Sequence, residues 1–445
     1  MKGTLKRCAL SALVLCPVFC FLITVARAQP LVVEMPSSPN PVGSGARAIG
    51  MGGAFIGVAD DATAATWNPG GLIQLEKPEV SFVLGYAHRT EKKFFADNPE
   101  ASGSDTITDF NLNYLSAVYP FELLGRNMVV SLNYQHLYDF NRDWKFNFIY
   151  PAPTIYDGPV LNDYEQRGAL YALGLAYCVQ ITPAFSAGVN VNYWGDSIFK
   201  NRWEQKYTSS AKFNIAGIPG RYSGLKKEEY DFEGWNANVG FLFQITPRLT
   251  IGGVFKTPFE ADIKHTVSDY EKREFPTLDR VEVFDSRQTY NEELHMPMSY
   301  GLGFAVRFSD AFTLSADIYR THWEDYALKD RLGVEKSPIN GKLLNESDVD
   351  PTTWFRMGAE YLIIRQRIVI PLRAGLFYDP APADGSPDDF YGFSVGTGIG
   401  YKRFIFDIAY QYRFGNNVSG PLWQEGNIPM DVQEHKVYCS LIIHF

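Results

Sequence analysis

Four basic residues, Lys256, Arg307, Arg356 and Arg373, fall on the small and polar side of segments that alternate apolar with polar positions. Alternation points all four to one side of a wall. A cation held there offers a charge-assisted hydrogen bond to a carboxylate ligand, because an unpaired buried charge is costly in apolar surroundings. The same four residues equally suit pairing with acids on the same side, such as Asp317 and Asp407. An aromatic run, Phe140, Trp144, Phe146, Phe148 and Tyr150, offers stacking surface. It reads either as the lining of an outer groove for a hydrophobic ligand, with Trp144 and Phe146 at its centre, or as strand extensions carrying an aromatic girdle. Catalytic chemistry has little to work with. The histidines His88, His136, His265, His295, His322, His435 and His444 are dispersed, without zinc spacing. Gly50-Met51-Gly52-Gly53 lacks the preceding strand and the glycine spacing of a nucleotide loop. No Ser-His-acid grouping stands out. The sequence reads as a non-enzyme, with no catalytic residues, no metal and no cofactor.

The segments that must position these residues have period-two patterns. Val80, Phe82, Leu84 and Tyr86 oppose Ser81, Gly85 and Ala87, and Met128, Val130, Leu132 and Tyr134 oppose Ser131, Asn133 and Gln135. Val189, Val191 and Tyr193 oppose Gly188, Asn190 and Asn192. Trp235, Ala237, Val239, Phe241, Phe243 and Ile245 oppose Asn236, Asn238, Gly240 and Gln244. Such segments occur at roughly 79–88, 109–119, 127–139, 167–181, 185–198, 232–246, 248–264, 297–308, 311–325, 353–364, 367–378, 390–401, 403–414 and 435–445. Tight links such as Thr182-Pro183-Ala184 and Thr246-Pro247-Arg248 alternate with long polar ones near 89–108, 140–166, 199–231, 265–296, 326–352 and 415–434. Short turns at one end and long loops at the other predict an all-β transmembrane antiparallel β-barrel of about 14 strands, apolar side to outer-membrane lipid and small polar side to a lumen.

Bulk properties agree. The chain has 445 residues, 15 % of them aromatic, which is high for a soluble protein. Residues 1–28 read as a secretory signal peptide: Lys2, Lys6 and Arg7, an apolar run from Cys8 to Val25, then Ala26-Arg27-Ala28. Beyond it no apolar run approaches the roughly 20 residues of a membrane-spanning helix. Without the leader's four cations the formal charge of −9 becomes about −13. Nucleic acid is therefore excluded as a partner. Cys178 and Cys439 remain after the leader and are expected as free thiols. Val437, Cys439, Leu441, Ile443 and the terminal Phe445 form an apolar row with an aromatic end. That pattern resembles the signal by which the barrel assembly machinery recognises its clients, and it places the chain in a Gram-negative outer membrane.

Residues 29–77 differ from the rest, and 78–445 are assigned to the barrel. The stretch from Gly43 to Leu72, GSGARAIGMGGAFIGVADDATAATWNPGGL, is too small and glycine-rich to fold alone, so it reads as a hatch enclosed by the barrel. Gly50, Gly52, Gly53, Asp60, Asp61, Asn68, Pro69 and Gly70 are its candidate gating residues. Asp60-Asp61 precedes Ala62-Thr63-Ala64-Ala65 as a helix start, an assignment preferred to cation binding, and Asn68-Pro69 ends that helix.

The hatch sequence GARAIGMGGAFIGVADDATAATWNPGGL resembles the FadL-type (OmpP1/FadL/TodX) outer-membrane transporters of long-chain fatty acids and aromatic hydrocarbons. Further matches lie at SAGVNVNY (Ser186–Tyr193), IGGVFKTPFEADIKH (Ile251–His265), PMSYGLGF and THWEDY (within Pro297–Tyr326) and RMGAEYLII with LRAGLFYDP (within Arg356–Pro380). Asn68-Pro69-Gly70 stands where the family usually has Asn-Pro-Ala. The resemblance implies a monomeric barrel blocked by its hatch, with a groove among the outer loops and a pocket above the hatch. It further implies a lateral exit beside a kink in the third strand, which touches the Asn-Pro-Ala region. The third predicted strand, Asn127 to Asp139, contains no glycine or proline to make that kink. Passive uptake of hydrophobic small molecules follows, long-chain fatty acids first. The alternative is a hatch-containing barrel acting as a secretion shuttle, attachment factor or adhesin, without small-molecule transport.

Overall fold

Period-two alternation becomes a ladder wherever each strand finds a neighbour on both sides. The computed structural model describes residues 43–150, 155–196, 200–423 and 426–445, so the expected leader lies outside the described residues. Its strands are β1 (Glu79–Lys93), β2 (Gly103–Leu123), β3 (Arg126–Asp139), β4 (Arg142–Phe148), β5 (Val160–Thr182), β6 (Phe185–Trp194), β7 (Arg202–Ile215), β8 (Ile218–Thr246), β9 (Leu249–Lys256) and β10 (Phe259–Phe275). There follow β11 (Arg280–Met296), β12 (Ser299–Ser309), β13 (Phe312–Thr321), β14 (Ala327–Lys329), β15 (Glu335–Lys336), β16 (Thr352–Ile364), β17 (Ile368–Tyr378), β18 (Tyr391–Tyr401), β19 (Phe404–Trp423) and β20 (Gly426–His444). All pairings are antiparallel. A ring of 14 strands runs β1-β2-β3-β5-β6-β8-β9-β12-β13-β16-β17-β18-β19-β20 and closes where β20 pairs with β1. Closure gives each strand of the ring a neighbour on both sides, so none runs its whole length as a free edge, which lipid would not tolerate.

Each predicted strand has its counterpart, but several predicted loops are sheet. Residues 199–231, 265–296 and 415–434 hold β7, most of β10 and β11, and the outer parts of β8, β19 and β20. Both faces of these extensions meet water or other loops, so they lack the apolar row that marks a strand in lipid. Residues 326–352 carry only the short β14 and β15.

The apolar rows face outward. Trp235, Val239, Phe243 and Ile245 of β8 are exposed, as are Phe355, Met357 and Tyr361 of β16. With lipid as the solvent on that side, exposure of such rows is the stable arrangement. The small and polar rows face a lumen filled by the hatch. There α1 (Ala46–Gly50) and α2 (Ala64–Trp67) are joined by turns and followed by a 3₁₀ turn, Pro69–Gln74. Positive φ at Gly52 (69°) and Gly53 (74°) reverses the chain after α1, a geometry that favours glycine. Asp61 Oδ1 accepts from the Thr63 backbone N–H (2.9 Å) and hydroxyl (2.6 Å), fixing the turn before α2. Asn68 is extended (φ −158°, ψ 98°), as the residue before a proline should be, and α2 stops there. Ala48, Met51, Phe55 and Leu72 are buried against Val118, Val129, Ala176 and Ala305 of the wall. The expected domain boundary at 77/78 falls between Gln74, the end of the 3₁₀ turn, and Glu79, the start of β1.

Candidate functional site: a hatched lumen with a parted wall

Four sets of contacts seat the hatch. Arg47 of α1 pairs with Asp60 (2.6 Å) and with Glu360 of β16 (2.9 Å). Glu360 also holds Arg373 of β17 (2.8 Å), which in turn pairs with Asp407 of β19 (2.6 Å). Buried charges survive because each has a partner. Asp317 of β13 accepts the backbone N–H groups of Phe55 (2.7 Å) and Ile56 (2.9 Å). Arg356 donates to Gly52 O (2.8 Å), lies 3.4 Å from Asp379, and stacks over Trp354 at 4.5 Å. The Asn68 amide donates to Ile56 O (2.9 Å) and to Phe241 O of β8 (2.8 Å), while its oxygen accepts from the Gly70 N–H (3.0 Å).

The Asn68-Pro69-Gly70 step docks on β5, β6 and β8. Gly70 O receives the Ser186 hydroxyl (2.7 Å) and the Cys178 thiol (3.3 Å). Gly188 and Gly240 lie flat under Pro69 and Asn68, and a Cβ on either would overlap the step. Gly50 and Gly52 press likewise on Gly396 and Gly375, and Gly53 on Arg356. The third strand passes beside the hatch through Val129, but the step's hydrogen bonds run to β5, β6 and β8, further round the ring.

The four basic residues thus have different surroundings. Arg356 and Arg373 anchor the hatch. Arg307 is exposed at the short-turn end, in a vestibule of about 530 Å³ beneath the hatch that Arg47, Asp60 and Gln74 also line. Lys256 lies on the long-loop side, against Tyr319 (5.6 Å to the ring centre), in a small cavity with Tyr138, Trp194, Phe259 and Met296. That cavity opens under an apolar cluster containing Phe140, Trp194, Trp203, Tyr230, Phe232 and Trp323, in which Phe140 and Trp203 stack at 4.6 Å. The aromatic run is divided. Trp144 and Phe146 sit in a separate cluster with Tyr164, Phe390 and Met430, and the Trp144 indole is fully buried, donating to Glu91 beneath Arg142.

Two features escaped the sequence reading. Asn133, Gln135, Asn190, Asn192, Asn236 and Asn238 form an amide ladder across β3, β6 and β8, with bonds such as Asn192 to Asn236 (3.0 Å) and Asn190 to Ala65 O (3.2 Å). Their inward facing was legible, their mutual bonding was not. The second is a parting of the wall. The β2–β3 ladder ends at Tyr114↔Gln135, although β2 continues to Gly103 and β3 to Asp139. Both strands are bulged just there: Asn113 is skipped in the β1–β2 register and Leu137 in the β3–β5 register. After Leu137 the inward positions change from Asn133 and Gln135 to Tyr138 and Phe140. The register of β3 thus breaks at Leu137 without glycine or proline.

A closed barrel with a lipid-facing apolar surface and a lumen blocked by its own N-terminal segment defines an outer-membrane barrel protein. The chain belongs to the family described as outer membrane protein transport protein (OMPP1/FadL/TodX), whose model matches residues 41–420. Membership makes it an outer-membrane protein of the group that takes up hydrophobic compounds. Among solved structures, a Pseudomonas aeruginosa FadL homologue aligns with TM-score 0.60 at 15 % identity, covering 91 % of this chain and 98 % of its own. The P. putida toluene transporter TodX aligns with TM-score 0.54 at 14 % identity, covering 91 % and 99 %. The Ralstonia pickettii toluene transporter TbuX gives 0.53 at 13 %, again covering 91 % and 99 %. At these identities the likeness concerns the fold. No curated protein matches the chain.

Proposed function

We propose that the protein is a passive channel whose hydrophobic cargo enters above the hatch and leaves sideways through the seam between β2 and β3. The parted ladder carries this reading. Above the hatch, the wall is unzipped where Tyr86 and Phe110, paired across β1 and β2, are both exposed on the outer surface. A long acyl chain gains about 0.8 kcal/mol per buried CH₂, so a route ending in membrane suits it better than a wet pore.

Long-chain fatty acids are the proposed cargo. Lys256 supports this, as a cation beneath the apolar cluster on the outer side of the hatch, placed to meet a carboxylate while the tail lies among the aromatics. Toluene is the competing cargo, because TodX and TbuX are described as toluene transporters. The test is uptake of labelled oleate and labelled toluene by cells lacking their own transporter, at equal folded barrel level, with the native chain and Lys256→Met. Oleate uptake that falls in the variant supports the fatty-acid assignment. Toluene uptake unaffected by the variant, without oleate uptake, reassigns the cargo. Uptake of neither by folded protein overturns transport and leaves the secretion or attachment reading.

A further inference from the structure

Inside the seam lies a cavity of about 80 Å³ whose walls include both parted edges: Asn111 and Asn113 of β2, His136 and Leu137 of β3. Its floor is the hatch, at Gly43 and Ile49, and its far side carries Arg356, Arg413 and Lys436. The charges around it are matched. Arg413 pairs with Asp379 (3.0 Å), Lys436 with Glu434 (2.8 Å) and His136 with Asp139 (2.9 Å). What remains uncommitted is hydrogen-bonding capacity on four single atoms. Asn111 Oδ1, Asn113 Oδ1, His136 Nδ1 and Arg356 Nε are buried and have no hydrogen-bond partner among the described residues. Asn111 donates through Nδ2 to Asp109 (2.6 Å), which fixes its amide with the oxygen left over. Asn113, His136 and Arg356 are each more than nine-tenths buried. Buried polar atoms normally find partners, so four orphans around one cavity point to a polar ligand group.

We propose that this cavity receives the hydroxyl group of an amphiphilic cargo, an uncharged alcohol or phenol whose apolar part lies in the seam. The inference rests on the sideways-exit reading above and not on its fatty-acid assignment: it names a second class of cargo for the same route. A hydroxyl donates to one amide oxygen and accepts from Arg356 Nε or from His136. A carboxylate accepts from Arg356 Nε or His136 but has no proton to donate, so it leaves both amide oxygens without a partner. A hydrocarbon satisfies none of the four atoms. The cavity holds a polar head and its first carbons but not a whole cargo, since one water occupies about 30 Å³. The tail therefore extends between β2 and β3.

The experiment compares binding of 1-dodecanol and dodecane to the full chain in lipid nanodiscs, corrected with empty discs. The expected result is roughly tenfold tighter binding of the alcohol, the worth of one or two buried hydrogen bonds. Asn113→Ala and, separately, Asn111→Ala each remove an acceptor without filling the space. Both should bring the alcohol toward parity with the alkane while leaving dodecane binding unchanged. Equal binding of the two compounds by the native chain, or a preference that survives both substitutions, overturns the hydroxyl site while transport stands. Binding of neither compound overturns both readings.

Discussion

Asn113 and Leu137 stand just past the last rung of the β2–β3 ladder, each the extra residue of a bulge, one on either side of the seam. Two bulges at one point turn both strands away from each other. Deleting Leu137 should restore the alternation of β3 and let it continue pairing with β2. Uptake of whichever compound the native chain carries should fall by roughly tenfold or more, with gel mobility of the folded barrel unchanged. Undiminished uptake in the deletion would place the exit elsewhere.

Asn68→Ala removes the bonds to Ile56 O and Phe241 O and the support of the Gly70 N–H. At about 1 kcal/mol each, the hatch loses about 2–3 kcal/mol of docking. The barrel ladder is untouched, so its melting temperature should hold. The expected signature is more frequent open events in planar-bilayer conductance and faster amide exchange in 43–75.

Gly240 and Gly400 both lie on wall strands, yet they should respond differently. A side chain at Gly240 collides with Asn68, whereas one at Gly400 meets Val369 no closer than 3.7 Å. Gly240→Val should unseat the hatch and raise conductance as Asn68→Ala does, and Gly400→Val should behave as the native chain. Equal behaviour of the two would refute the close docking of the step.

The outer sheet has a pH dependence of its own. His265 of β10 lies 3.3 Å from Glu228 and 3.0 Å from Glu292, in the sheet extension formed by β10, β11 and the outer part of β8. Burial alone would lower its pKa, but bonding to the two carboxylates outweighs burial and raises it to about 9. Burial would raise Glu228, yet His265 and Lys226 bring it down to about 2. A raised histidine stabilises fully below its unfolded value near 6.5 and loses that contribution as pH climbs through 9. A depressed carboxylate stabilises above its ordinary value and loses that as pH falls toward 2. Hydrogen-exchange protection in 222–231 and 262–292, corrected for the intrinsic rate at each pH, should therefore be greatest near pH 5–6 and fall beyond pH 9, with His265→Gln abolishing the alkaline part.

Where one solvent meets one face, the fold was legible. The rows on β3, β6 and β8 told lipid from lumen, and Asn68-Pro69 told where α2 stops. Sheet at 199–231 and 265–296 was not legible, because outside the membrane neither face must be apolar. Among the basic residues, alternation gave Arg356 and Arg373 their direction, and Asp407, one of the acids weighed as a partner for the four cations, pairs with Arg373. Height along the barrel was invisible, so Arg307 at the short-turn end and Lys256 above the hatch looked equivalent. The bulges at Asn113 and Leu137 arise from register between distant strands and leave no mark on either strand alone.

Cys178 lies wholly buried under Gly70, its thiol spent on that carbonyl. The protein therefore carries a built-in reporter of hatch position. With Cys439 accounted for, alkylation of Cys178 by a small water-soluble reagent should report any lifting of the Asn-Pro-Gly step, with no dye or engineered label.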